Sequence, residues 1–329
     1  MRIFTFRPET FALHTPFVIS RGSRTETTVI VVEVIEDGKK GWGESCPTPH
    51  YGESVESVLD QIASIAPQME QGLTREKLQT ALPAGAARNA IDCAMWDLEA
   101  KQKGKTIAEL MGHNWPSSLQ SVETISIGSA EAMGEKAKKL ANFPTIKVKM
   151  NAEDVKNRIK AVHQNAPKAR IIVDANESWN LDLVNEVLGT LKENGVVMLE
   201  QPLPPNEDEK LRGLNASIPL GGDESCHVAA DLLRLKGIYD VVNIKLDKTG
   251  GLTEAKKLLD QAKDMDFDIM VGCMVGTSLS MAAGMFIATE ASYVDLDAPT
   301  MLSTDRDHSL TIKDGQMSEL NPKLYGGAT

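Results

Sequence analysis

Cysteine is scarce. Cys46, Cys93, Cys226 and Cys273 stand far apart with no Cys-x-x-Cys pair among them, so they form neither a zinc knuckle nor a redox motif and read as reduced thiols. No uninterrupted apolar run reaches the roughly 18 residues of a membrane span. The opening stretch Met1-Arg2-Ile3-Phe4-Thr5-Phe6-Arg7-Pro8 lacks the apolar core of a signal peptide. Together these predict a cytoplasmic protein with no membrane partner. The chain also lacks any block of basic residues, and its net charge of −11 excludes nucleic acid and anionic lipid as natural partners.

What remains is an ordinary globular composition, 42% hydrophobic and 25% charged. At 329 residues the chain accommodates one barrel of roughly 200 residues or more together with a smaller domain. The most informative stretch is Ile146-Lys147-Val148-Lys149-Met150. Strand alternation puts both lysines on one face and the three apolar residues on the other. Two neighbouring ammonium groups repel, and each eases deprotonation of the other from a reference pKa of roughly 10.4, as a general base requires. A Lys-x-Lys pair on a solvated strand face is the everyday alternative.

The sequence downstream favours the catalytic reading. Short apolar runs end in charge at Asp174, Glu200, Asp223 and Lys245, and the steps counted from Lys149 are 25, 26, 23 and 22 residues. Each step has room for a strand, a helix and two loops, which is the period of a β/α unit. In a closed parallel barrel all such strand ends point to one rim, where the active sites of this architecture lie.

Taken in order, residues 1–45 read as a strand meander with Thr28–Ile35 rich in β-branched residues. Polar loops follow near 17–25 and 46–53, as a lid over the rim or as solvated turns. Residues 54–112 are helical, and the apolar positions Ala87, Ala90, Ile91, Ala94, Met95 and Leu98 form one core-facing stripe. Pro116 marks a boundary. The expectation is an α/β modified TIM barrel, (β/α)7β, over 117–304, with strands starting at 120–127 and ending at 292–296. An α+β capping domain over 1–116 is joined by a returning tail, 305–329.

Asp174, Glu200 and Asp223 offer three carboxylates on consecutive strands, an oxygen-only set that suits Mg²⁺; helix caps or lysine partners would be the plain alternative. Glu224 is expected to point away from the ion by alternation. The lysine strands two and six are diametrically opposed. Lys149 and Lys245 can therefore reach a metal-bound carbon acid from opposite faces, one removing an α-proton and the other returning it, with inversion through an enediolate. Asp295 and Asp297 share one face of the eighth strand, where they could hold a substrate ammonium, cap a helix or bind a second cation.

These residues, with Gly41-Trp42-Gly43-Glu44, Val173-Asp174-Ala175-Asn176, Glu200-Gln201-Pro202, Gly222-Asp223-Glu224-Ser225 and Lys245-Leu246-Asp247-Lys248-Thr249-Gly250-Gly251, resemble the enolase superfamily and within it the dipeptide epimerases. The resemblance implies one Mg²⁺ per subunit on Asp174, Glu200 and Asp223, and Lys149 and Lys245 as acid/base catalysts, a chemistry general to that superfamily. It implies that Lys147 assists by touching the substrate carboxylate, and that Asp295 and Asp297 clamp the dipeptide ammonium. Thr124 completes the expected substrate contacts. Arg21 and Arg24, on the first capping loop, are both candidates for an acidic substrate side chain, and the sequence does not choose between them. The implied reaction is epimerisation of L-Ala-D/L-Glu and similar dipeptides in murein-peptide recycling. An N-acylamino acid racemase, an o-succinylbenzoate synthase and a catalytically silent metal- or anion-binding barrel are the alternatives, and homo-oligomerisation is left open.

Overall fold

The structure, a computed structural model, describes residues 2–328. An antiparallel sheet of β1 (Ile3–Ile19), β2 (Gly22–Glu36) and β3 (Lys39–Ser45) opens the chain, in the order β1-β2-β3. The β1–β2 hairpin is long because β-branched and aromatic residues alternate along both strands, burying Phe4, Ile30, Val32 and Val34 on one face. Against that face pack α1 (Val55–Glu70), α2 (Arg75–Ala81) and α3 (Ala86–Lys103), and α4 (Ile107–Met111) follows. Two cap residues close the start of α1 and of α4: Ser54 with Ser57, and Thr106 with Glu109.

Helix α3 differs from the expected single stripe, since nearly every residue from Ala86 to Leu98 is buried. Its second face, which carries polar groups, packs on the barrel: Arg88 donates to the carbonyls of Thr249 and Gly250, and Asp92 accepts from Thr253. A helix between two layers cannot be amphipathic in the simple sense. It approaches β3 so closely that a Cβ at Gly41 would lie 2.2 Å from the carbonyl oxygen of Ala94, and one at Gly43 2.3 Å from that of Ala90. Glycine is required at both positions by that approach.

Eight parallel strands follow: β4 (Glu123–Ile125), β5 (Thr145–Lys149), β6 (Arg170–Asp174), β7 (Val196–Glu200), β8 (Leu220–Gly222), β9 (Val241–Ile244), β10 (Asp268–Gly272) and β11 (Tyr293–Asp295). Val122 N–H donates to the Val294 carbonyl at 2.9 Å and brings the two ends of the sheet together. Helices α5 (Ala130–Lys139), α6 (Val155–Asn165), α7 (Leu181–Glu193), α8 (Leu232–Leu235), α9 (Leu246–Thr249), α10 (Leu252–Asp264) and α11 (Ser278–Ala288) lie between strands. The first strand and helix are shorter than expected. Between β7 and β8 the expected α-helix is replaced by a 3-10 turn, Pro205–Leu211. Pro202, Pro204 and Pro205 remove backbone donors there, and Pro204, the residue before Pro205, is held extended at φ −59°, ψ 149°.

Period-2 alternation fills the barrel in layers. Val122, Ile172, Met198, Val241 and Met270 form an apolar floor. Two residues further along β6 and β7, Asp174 and Glu200 stand on the same inward face. Ile146, Val148 and Met150 point outward into the core under the helices. The tail carries the short hairpin β12 (Ile312–Lys313) with β13 (Gln316–Met317), then returns to the first layer. There Tyr325 Oη donates to the Cys93 carbonyl, Gly326 N–H to Asp97, and Trp42 Nε1 to the Leu324 carbonyl.

Candidate active site

Strand register gathers the charged residues at one rim. Lys149 pairs with Asp174 across β5 and β6, and Asp174 with Glu200 across β6 and β7. Asp223 and Lys245 each follow the last residue of their strand. Oxygen atoms of Asp174, Glu200 and Asp223 lie within 4.8 Å of one another, and all three residues are buried. That spacing and donor type fit a small hard cation. Glu200 supplies a further sign: its Oε1 accepts from Asn243 Nδ2 at 2.7 Å, whereas its Oε2 makes no hydrogen bond, although Lys147 Nζ is 2.7 Å away. The contact is close in distance but poorly directed, which leaves a buried carboxylate oxygen free to ligate.

Four ammonium groups share these acids. Lys149 Nζ is 2.6 Å from Asp174 Oδ2, and Lys245 Nζ is 2.6 Å from Asp223 Oδ2. Lys147, which is fully buried, reaches Asp295 and Glu200 at 2.7 Å and Asp174 at 3.1 Å. Lys248 Nζ donates to Asp223 Oδ1 at 2.6 Å and to the Asn243 carbonyl at 3.0 Å. Burial pushes Asp174 and Asp223 up, yet Lys149 and Lys147 beside the first, and Lys245 and Lys248 beside the second, hold both below the usual carboxylate range. Glu200 goes the other way, to about 7, through burial and the charge of Asp174. Burial alone would lower Lys147, but Asp295, Glu200 and Asp174 raise it well above an ordinary lysine. The expected mutual repulsion of Lys147 and Lys149 is therefore outweighed at Lys147 by three carboxylates.

A cavity of about 490 Å³ opens over this rim. Lys149 and Lys245 line it from strands β5 and β9, four positions apart in an eight-stranded barrel; Lys147 does not line it. Asp295 and Asp297 line its far side with Thr124, whose N–H donates to Asp297 Oδ2 at 2.7 Å. Asp297 precedes the 3-10 turn Ala298–Met301 without capping it, and burial, then the charges of Asp295 and Glu123, push its carboxyl up to about 8. The helix-cap alternative therefore does not describe Asp297.

The expected loop near 17–25 is the end of the β1–β2 hairpin, which roofs the cavity with Arg21 in its turn and Arg24 on β2, paired with Phe17. Arg21 Nη1 is bound to Glu224 Oε1 at 2.9 Å, to Glu177 Oε2 at 3.2 Å and to the Asn176 carbonyl at 3.3 Å. Arg24 also lines the cavity but makes no hydrogen bond or ion pair among the described residues. From the second loop, His50 meets Glu177 at 3.0 Å and Tyr51 packs edge-on against His227 at 4.7 Å.

Glu224 stands outside the three-carboxylate group, as expected, but for a reason other than alternation. Strand alternation ends at Gly222, and Glu224 lies in the turn beyond, directed to the rim where Arg21 and Asn176 bind it. Lys248, Asn243 and Asn176 were not singled out in the sequence. Lys248 and Asn176 stand in the motifs quoted above without a role given to them, Lys248 as a fourth lysine three residues after Lys245.

Comparison with known proteins supplies the family. Residues 131–321 match the enolase C-terminal domain-like family, and residues 1–112 match the mandelate racemase / muconate lactonizing enzyme N-terminal domain. The chain is 46% identical over 319 residues to the L-Ala-D/L-Glu epimerase of Escherichia coli (strain K12), covering 96% of this chain and 99% of that one. It is also 46% identical over 304 residues to the N-acetyl-D-glutamate racemase of Pseudoalteromonas sp, covering 91% and 96%. Among solved structures, an enolase family member from Agrobacterium tumefaciens with homology to dipeptide epimerases, holding sodium and L-Ala-L-Glu with an ordered loop, superposes with TM-score 0.97 at 41% identity over 99% of this chain and 100% of that one. The dipeptide epimerase of Enterococcus faecalis V583, complexed with Mg and L-Leu-L-Tyr, gives 0.90 at 26% identity over 99% and 97%. The chain belongs to the mandelate racemase / muconate lactonizing enzyme family of the enolase superfamily.

Proposed function

We propose that this chain is an Mg²⁺-dependent dipeptide epimerase acting on L-Ala-D/L-Glu and related dipeptides. The observation that carries the reading is the placement of Lys149 and Lys245 on opposite walls of one cavity, on either side of Asp174, Glu200 and Asp223. Those three carboxylates would hold Mg²⁺. Bound there, Mg²⁺ would supply positive charge to stabilise a substrate carboxylate as its α-proton leaves.

The chain's own groups do the rest. Lys149 or Lys245 removes the α-proton of the second residue from one face, and the other lysine delivers a proton to the opposite face, so the centre inverts. Lys147, saturated by three carboxylates and closed to the cavity, orients Asp174, Glu200 and Asp295. Asp297, with Asp295 and Thr124 beside it, receives the substrate ammonium by charge-assisted hydrogen bonds. Arg24 is the unpaired guanidinium available to an acidic side chain, which supports a glutamate second residue. In this reading residues 1–116 and 305–329 form the specificity cap and 117–304 the catalytic barrel. The setting is murein-peptide recycling in the cytoplasm.

The Pseudoalteromonas relative makes an N-acylamino acid the rival substrate. Incubating L-Ala-L-Glu in deuterated water distinguishes the two. Deuterium at the glutamate α-carbon with appearance of L-Ala-D-Glu is expected, and turnover confined to N-acylated glutamate would overturn the reading.

A further inference from the structure

Two consecutive residues behind Asp174 take left-handed backbone conformations without being glycine: Asn176 at φ 42° and Glu177 at φ 67°. Such conformations cost free energy and persist where surrounding contacts demand them. The contacts here come from the cap. The Asn176 carbonyl accepts from Ser20 Oγ at 3.3 Å and from Arg21 Nη1 at 3.3 Å, while Asn176 N–H donates to Asp174 Oδ1 at 2.9 Å. Asn176 Nδ2 donates to the same Glu224 oxygen that Arg21 grips. One residue thus touches both the roof loop and an acid of the proposed metal site.

Glu224 gives the arrangement its direction. Its side chain is 1% exposed, and among the described residues its Oε2 has no hydrogen-bond partner and Arg21 is the one cation bound to it. Opening of the loop would leave a buried carboxylate next to Asp223 and Asp174 with only an amide donor, which is unfavourable. Arg21 itself is 31% exposed, so water can replace its contacts and the closure is reversible. Gly22, at φ 142° with open space around it, allows the adjoining tip to swing.

We infer that Arg21 is a latch and a positioning residue, not a substrate contact: it holds the roof loop on Asn176, Glu177 and Glu224 and through Asn176 fixes the orientation of Asp174. This rests on the dipeptide-epimerase reading for its kinetic consequences, but not for its structural ones. The closing experiment compares Arg21→Met with Arg24→Met by three measurements: hydrogen exchange of loop amides 19–25 without substrate, Mg²⁺ affinity by calorimetry, and kcat/KM for L-Ala-L-Glu and for L-Ala-L-Ala. Arg21→Met is expected to speed loop exchange and weaken Mg²⁺ binding, and to raise KM for both dipeptides about tenfold with their ratio unchanged. Arg21→Lys, which keeps a donor for Glu224, should restore part of the protection. Arg24→Met should leave loop exchange as in the wild type and reduce the preference for the glutamyl dipeptide. Unchanged loop exchange in Arg21→Met, or a loss confined to L-Ala-L-Glu, overturns the inference. If the wild-type protein epimerises neither dipeptide, the proposed function fails, and loop exchange and Mg²⁺ affinity still decide the latch.

Discussion

Two pairs of lysines meet the same carboxylates, and they differ in where else they can reach. Lys147 and Lys248 are 0% and 2% exposed, lie outside the cavity, and each make three polar contacts to acids or carbonyls. Lys149 and Lys245 are 8% and 6% exposed, line the cavity, and each hold a single carboxylate. A proton can be exchanged with substrate only by an amine that faces it and can let go of its partner. The same functional group is thus a fixed counter-charge in one position and, in the proposed function, an acid/base in the other, and the number of partners separates the two.

This contrast is open to attack by mutation. The largest effect is expected from Lys149→Ala and Lys245→Ala, each lowering epimerisation by about 10²–10⁴-fold, the range of a general acid/base. One-sided α-deuteration should persist in each variant toward the diastereomer whose proton faces the remaining lysine, as followed by NMR. Full activity in both variants would end the two-base assignment.

Next comes stability. Lys147→Met or Lys248→Met strands buried carboxylates and should cost about 3–5 kcal/mol in denaturant unfolding without added metal. Lys245→Ala should cost less, because Lys248 still neutralises Asp223; equal losses would erase the distinction between the pairs.

The ammonium clamp tests the far wall of the same cavity. Burial and the charges of Asp295 and Glu123 push the Asp297 carboxyl up to about 8, so raising the pH toward that value favours its charged form. Binding of a substrate ammonium needs the carboxylate, so dipeptide kcat/KM should rise with pH toward about 8. It should then fall as the substrate amine, of pKa about 8, loses its own proton. Asp297→Asn should remove the rising limb and raise KM for dipeptides by about tenfold or more, while an N-acylated amino acid should show neither limb. The smallest effect is expected at Gly272, where an added Cβ would sit 2.7 Å from Asn243 Oδ1 and 2.9 Å from Lys245 Cε. Gly272→Ala should nudge that lysine and reduce kcat by about tenfold, with the thermal midpoint little changed.

Much of this site could be read from spacing because barrel geometry converts sequence period into position. Steps near 25 residues brought Lys149, Asp174, Glu200, Asp223 and Lys245 to one rim, and alternation alone put Lys147 with Lys149. The same rule does not reach Glu224, two residues past the end of β8, which lies in a turn where alternation has no meaning. Helix α3 misled for another reason: its polar face is buried by a second layer that periodicity cannot reveal. The prolines around 202–205 did signal that the unit between β7 and β8 would lack a full helix, but the repeat length hid it. Arg21 and Arg24 were indistinguishable in sequence because their difference lies wholly in the partners that Asn176, Glu177 and Glu224 provide from the other half of the molecule.

The returning tail has a consequence for biosynthesis. Tyr325 and Gly326 bond to Cys93 and Asp97, partners made 232 and 229 positions earlier. While a ribosome is still producing the barrel, Asp97 waits in a half-finished layer without its Gly326 donor. Completion of the first layer therefore waits for Leu324–Gly326, which are made only after the barrel strands that precede them.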